Sequence, residues 1–284
     1  MKLGAFLALA CLAVAGWAVA GCAPAAAPGE GSSGPTIVSL NPCSDAVLAE
    51  VADPAQILAI SHYSHDPRAS SMPLDQARRF RSTGGTVEEV IALKPDVVIA
   101  GIFLPPATRA AFARLGIRVE SFDIEHTVPE SLARVRRIAA IAGHADRGEA
   151  LVRRIERALA AAAPPPGERP LRTILWQSAG IVPGDEALVS DMLRRTGFAS
   201  QSAARGLRQA DYLPLEEVLT DPPQLILTAA TPGDGEDRML SHPALRALAG
   251  TRRAHFDAGL LYCGGPTLIR AADRLAAIRR EAGA

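Results

Sequence analysis

The chain has 284 residues, with 30 Lys or Arg against 30 Asp or Glu, and so no net charge at pH 7. That balance argues against a nucleic-acid partner and against a strongly acidic or basic one. With 48% apolar residues, the length suffices for two domains of ordinary size or one large one.

In chain order, "MKLGAFLALACLAVAGWAVAGC" sets Lys2 before an uninterrupted apolar run from Leu3 to Ala20. The run is barely long enough to cross a bilayer. The small residues Ala20 and Gly21 before Cys22 read as an export cleavage site, with an uncleaved membrane anchor as the alternative. Residues 1–22 are thus expected to form a signal peptide together with its cleavage site. Residues 23–35, "APAAAPGEGSSGP", hold too little apolar surface for a core and are expected to form a flexible tether.

Strand and helix patterns alternate after the tether. "TIVSL" (36–40) is β-rich, and Ser44 or Asp45 is placed to cap the helix "AVLAEVA". "QILAI" (56–60) is a second strand, and "SHYSHDPRASSM" (61–72) is a polar loop. "TVEEVIAL" (86–93) is a short helix with Thr86 at its N-cap and Glu88 and Glu89 in its first turn. The strand "PDVVIA" (95–100), a helix ending at Gly116 and the strand "IRVESF" (117–122) complete an α/β lobe over residues 36–127.

Residues 128–170 change character. Two helices are expected, the longer at 145–163, where Leu151, Ile155 and Leu159 form one apolar stripe. "PPPGERP" stops it. Alternation then resumes over residues 171–284: strand "RTILW" (172–176), a helix over 184–198, the short helix "PLEEVL", strand "PQLILTAA", the short helix "HPALRAL", a last strand within "RRAHFDAGLLY", and a terminal helix. One feature recurs. "TVEEVIALKPDVVIAG" (86–101) aligns without a gap on "PLEEVLTDPPQLILTA" (214–229), so that Glu88 and Glu89 fall on Glu216 and Glu217. The fold expected is α/β, with two similar lobes flanking one long helix.

Parallel α/β sheets bind ligands beyond the carboxyl ends of their strands. That rule collects Asn41 and Cys43 after the first strand, then His62, Tyr63 and Arg68 after the second. It adds Phe103, Trp176 with Gln177, Thr231, and Tyr262 with Gly264. Aromatics mixed with a few polar groups suit a large, partly apolar ligand. His62 and His65 lack the spacing of a zinc signature, and no second cluster completes one. Neither "GGTVEE" nor "CGGP" is a phosphate-binding fingerprint, and no GxSxG or HExxH occurs. Cys11 lies in the signal segment. Outside the cytosol Cys43 and Cys263 can pair as a disulfide or remain two buried thiols, and their spacing does not decide between these.

The layout, with "TIVSLNPCSDAVLAEVADP" (36–54) and "TVEEVIALKPDVVIAG", resembles the periplasmic substrate-binding proteins of ABC importers in the cobalamin and ferric-siderophore class. The resemblance spans about residues 35–282. It implies two Rossmann-like three-layer lobes with mostly parallel sheets, bridged by the long helix 145–163 as a stiff backbone. It implies that Glu88 and Glu216 dock on arginines of an ABC permease dimer, whose ATPase supplies the energy. The expected cargo is cobalamin or a related corrinoid. The alternative is a ferric siderophore or haem, and less favoured is a secreted enzyme working on a metal cofactor. The protein would have no cofactor and no metal site of its own; its ligand, a small metal chelate, carries cobalt or iron. "VAGC" resembles the lipobox of bacterial lipoproteins, which implies a lipid on Cys22 and a periplasmic address, soluble or membrane-anchored.

Overall fold

Successive residues of a strand point to opposite faces of its sheet, and here that alternation sorts the apolar residues into three layers of core. In the computed structural model, residues 34–229 and 242–283 are described; the signal, the lipidation site at Cys22, most of the tether and Thr231 lie outside them. The first half runs β1 (Ile37–Ser39), α1 (Pro42–Val51), β2 (Ile57–Ser61), α2 (Leu74–Ala77), β3 (Ser82–Thr83), α3 (Val87–Leu93), β4 (Val97–Gly101), α4 (Pro106–Arg114) and β5 (Arg118–Phe122). Two longer helices follow, α5 (Val128–Ile141) and α6 (Ala145–Ala162). The second half runs β6 (Leu171–Trp176), β7 (Ile181–Val182), α7 (Leu188–Arg195), β8 (Phe198–Ser200), α8 (Gln201–Ala204), β9 (Asp211–Tyr212), α9 (Leu215–Thr220), β10 (Leu225–Thr228), α10 (Pro243–Arg246), β11 (Arg252–His255) and α11 (Thr267–Gly283).

The strands build two parallel sheets, in the order β3-β2-β1-β4-β5 and β11-β10-β6-β8; β7 and β9 form a small antiparallel pair. Each sheet has helices on both faces. In the first, Val38 and Val98 turn outward onto Val90 of α3 and Phe112 of α4, while Ile37, Val97 and Ile99 turn inward toward α1 and α5. In the second, Ile174 and Ile226 turn outward onto Val218 of α9 and Leu245 of α10. Leu175, Leu225 and Leu227 turn inward, toward α7 and α11. The inward faces of both sheets belong to one continuous core.

The repeat in the sequence is a repeat in topology. β4 follows α3 and lies between β1 and β5; β10 follows α9 and lies between β6 and β11. α6 threads the shared core with Leu151, Val152 and Ile155 fully buried and Leu159 half-buried, packed against α1, α5 and α11. Gly148 lets α5 and α6 close up, because a Cβ there would meet the Ala139 Cβ at 2.5 Å.

Some local expectations are corrected. Asn41 caps α1, its side chain accepting from the backbone N–H groups of Cys43 and Ser44 at 2.9 and 3.1 Å; Ser44 and Asp45 are buried inside the first turn. α7 begins at Leu188, because residues 184–187 are held to the chain at Leu207 and Arg208, where the Asp185 N–H donates to the Leu207 carbonyl at 2.7 Å. Gly197, at φ 87°, ends that helical stretch, and Phe198–Ser200 becomes a strand.

Candidate functional site

The carboxyl ends of β1, β4, β5 and β6 open on a cavity of about 320 Å³ between the two sheets. Its wall is largely apolar, with Ile102, Phe103, Phe122, Ile124, Leu188 and Leu261, and its polar inlay includes Asn41, Glu125, Arg134, Gln177 and Gln209. That volume is at the small end of the range for small-molecule sites.

Of the residues expected at a ligand, Asn41, Cys43, Phe103 and Tyr262 line this cavity. Asn41 spends its side-chain oxygen on the α1 cap. Phe103 stands 79% exposed at the mouth. The Tyr262 hydroxyl donates to Oε1 of Gln177. Cys43 is joined to Cys263 by a disulfide, with Cα atoms 5.0 Å apart.

The other expected residues lie elsewhere. Trp176 is fully buried in the outer core of the second sheet, among Ile174, Val182 and Ile226. As the last residue of β6 it still follows the strand's alternation, and it is Gln177, one residue on, that reaches the cavity. Tyr63 lines a neighbouring groove with Thr86, Glu88 and Phe103 rather than the cavity itself. His62 stacks on Tyr63, ring centroids 4.1 Å apart, with Nδ1 3.3 Å from the Thr83 carbonyl. His65 Nε2 lies 3.1 Å from the Ala77 carbonyl, so the two imidazoles are committed to separate backbone groups. Among the described residues, no group of three or more His, Cys, Asp or Glu side chains is arranged to hold a metal. Arg68 sits on an exposed turn 3.8 Å from Asp66, outside the cavity wall. Gly264 is buried beneath the wall, its N–H donating to Glu125 Oε2 at 3.1 Å.

Several wall residues are not among those expected, and two of them are buried charges. Glu125 follows β5 and Arg134 lies on α5; their side chains are 5% and 9% exposed and pair at 2.9 Å. Burial pushes the Glu125 carboxyl up, and the attraction of Arg134 offsets part of that shift. Arg134 also lies over the Phe122 ring, 5.5 Å from its centroid. The strand-end rule, extended to β5, would have reached Glu125; Arg134 comes from a helix face, to which that rule does not apply.

The sequence profile of the periplasmic binding protein family matches residues 37–257. No curated protein sequence matches the chain. Among solved structures, the periplasmic heme-binding protein RhuT from Roseiflexus sp. RS-1 in apo form is 19% identical, over 89% of this chain and 100% of that one, with a TM-score of 0.69. The periplasmic heme-binding protein HutB of Vibrio cholerae is 16% identical over 86% and 98%, with a TM-score of 0.70. The periplasmic vitamin B12 binding protein BtuF of Vibrio cholerae is 19% identical over 87% and 97%, with a TM-score of 0.65. At these identities the likeness is one of fold.

The buried first turn of α1, behind the wall, yields a pH prediction. Asp45 is fully buried, accepting at Oδ2 from the Ser61 N–H at 3.0 Å and the Ser64 hydroxyl at 2.7 Å. Burial dominates these bonds and pushes the carboxyl from 3.8 up to about 7. The folded state therefore holds its proton more tightly than the unfolded chain. The stability this contributes is fully present below about pH 4 and is lost as pH rises toward about 7. Asp45→Asn keeps an acceptor and removes the titration. Urea unfolding at a series of pH values should show the wild type losing a few kcal/mol more than the variant between about pH 4 and 7. Parallel profiles would contradict the assignment.

Proposed function

The chain belongs to the periplasmic binding protein family, and from that premise we propose that its cargo is haem. The family membership carries a plain part: this is a non-catalytic, extracytoplasmic substrate-binding protein of an ABC importer. The observation that carries the finer reading is the cavity, an apolar slot with the Tyr262 phenol in its wall. A flat macrocycle buries its faces against Phe122, Ile124 and Leu188, and a phenol oxygen is an established haem-iron ligand type. Two solved proteins of like fold are named for heme binding.

One observation favours a second reading, cobalamin. Among the described residues the single cation of the cavity wall, Arg134, is already paired with Glu125, while Asn41, Gln177 and Gln209 offer amides. Such a wall suits neutral, amide-bearing edges better than free carboxylates. Titration of the purified protein with haemin, cyanocobalamin and a ferric catecholate, read by calorimetry and visible spectrum, separates these. The haem reading expects one haemin per chain at submicromolar affinity, with an altered iron spectrum that Tyr262→Phe changes again. Saturable corrinoid binding with no haemin binding would overturn it.

The docking face is read from the repeated glutamates. In each pair the second carboxylate is engaged locally. Glu89 accepts from the Thr83 hydroxyl and the Gly84 N–H, both at 2.7 Å, and Glu217 lies 3.7 Å from Arg205. Glu88 and Glu216 are exposed in the first turns of α3 and α9, at corresponding places in the two sheets. We propose that these two meet arginines of a two-fold symmetric permease, as directional carboxylate–guanidinium pairs that steer docking. Glu88→Ala with Glu216→Ala should leave haemin affinity unchanged and reduce transport and permease binding at least about tenfold. Transport and permease binding at the wild-type level would contradict the assignment.

A further inference from the structure

The "CGGP" motif at 263–266 has no place in a phosphate loop, and the permease docking face does not use it. In the fold it is a crossbar behind the cavity wall, directly after the wall residue Tyr262. Three separate elements hold it. Cys263 is bonded to Cys43 in the first turn of α1, across a separation of 220 residues. The N–H groups of Gly264 and Gly265 donate to Glu125 Oε2 at 3.1 Å and to the Ser131 hydroxyl of α5 at 2.7 Å. Tyr262, the residue before the disulfide, donates its hydroxyl to Gln177 beyond β6.

The two glycines are required by the close fit. A Cβ at Gly264 would lie 2.0 Å from the Ser131 Oγ, and one at Gly265, where φ is +60°, would lie 2.6 Å from Val47 of α1. The crossbar is therefore pressed onto α1 and α5 with no room for side chains. The disulfide draws its cavity end to the same α1 turn that Asn41 caps.

We infer that the Cys43–Cys263 disulfide is a positioning device that sets Tyr262 in the cavity wall. This rests on the reading of the cavity as the haem site. Tyr262 is an exposed residue on a short irregular segment, where a phenol would otherwise sample many placements. The bond closes a loop through most of the chain and fixes the backbone one residue from the phenol. With the N–H pair on its other side, the segment is clamped at both ends of the Gly-Gly step. The cavity thus gains a preorganised polar group, and ligand binding does not have to order it.

The test compares wild type with Cys43→Ala/Cys263→Ala, each with and without Tyr262→Phe. Amide hydrogen exchange without ligand is the first readout. In the double-alanine variant the amides of residues 262–265 should exchange at least about tenfold faster, while those of α6 stay unchanged. Haemin titration is the second. Losing the disulfide should weaken haemin binding about tenfold, and most of that loss should vanish in the Tyr262→Phe background, because both changes remove one interaction. Should the variant not fold, reduction of the folded wild type by a dithiol gives the same comparison. The reagent's thiols form a cyclic disulfide, and the two electrons and two protons pass to Cys43 and Cys263. Unchanged exchange at 262–265, or a loss of haemin affinity equal in both tyrosine backgrounds, would overturn the inference. If wild type takes up no haemin, the haem reading falls, and the exchange measurement alone decides whether the disulfide positions the segment.

Discussion

Both sheets turn one apolar face into the same core, and the helix that runs through this core is α6. This shared burial is the constraint on which the rest depends. Ile37 and Ile99 from the first sheet and Leu175 and Leu227 from the second belong to one packed cluster with Leu151 and Ile155. Interiors packed at crystal-like density do not deform continuously. Moving one sheet relative to the other would have to open that cluster or bend α6, and burial of apolar surface opposes both. The ion pairs along the helix, Arg147 with Asp53 and Arg154 with Glu50, are exposed and add little to this frame.

A stiff frame gives the cleft its form. Strand carboxyl ends from both sheets converge on one cavity because the two sheets are held in a fixed relation by what lies beneath them. Tyr262 and Cys43 reach the same wall from opposite ends of the chain, and Glu88 and Glu216 occupy like positions on opposite sheets. On the proposed reading, the ligand enters a preformed slot and Glu88 and Glu216 form a fixed pair of carboxylates for the partner, with little of the domain closure seen where lobes are linked by flexible strands.

Much of this was legible along the chain. The long helix showed its buried stripe at Leu151 and Ile155, and the glutamate repeat marked the equivalence of α3–β4 and α9–β10. β3, β7 and β9 have only two residues each, too few for a period to show. The strand-end rule picked Asn41, Cys43, Phe103 and Tyr262, which line the cavity. It placed Trp176 in the cleft because composition does not tell which face the last residue of a strand takes; the alternation that buries Ile174 buries Trp176 with it. Glu125 and Arg134 look like any solvated pair in the sequence, and only packing shows them buried together. The disulfide joins residues whose nearness is a property of the closed fold.

The central claim is that the two sheets and α6 form one cooperative unit, and urea unfolding tests it most directly. Trp17 lies in the expected signal peptide, so in protein lacking residues 1–22 Trp176 is the sole tryptophan, and it reports the second sheet alone. Far-ultraviolet circular dichroism reports both sheets. A shared core requires the two signals to follow one transition with a common midpoint. A tryptophan transition separated from the circular dichroism transition, or a dichroism curve in two steps, would show that the lobes unfold independently and contradict the account.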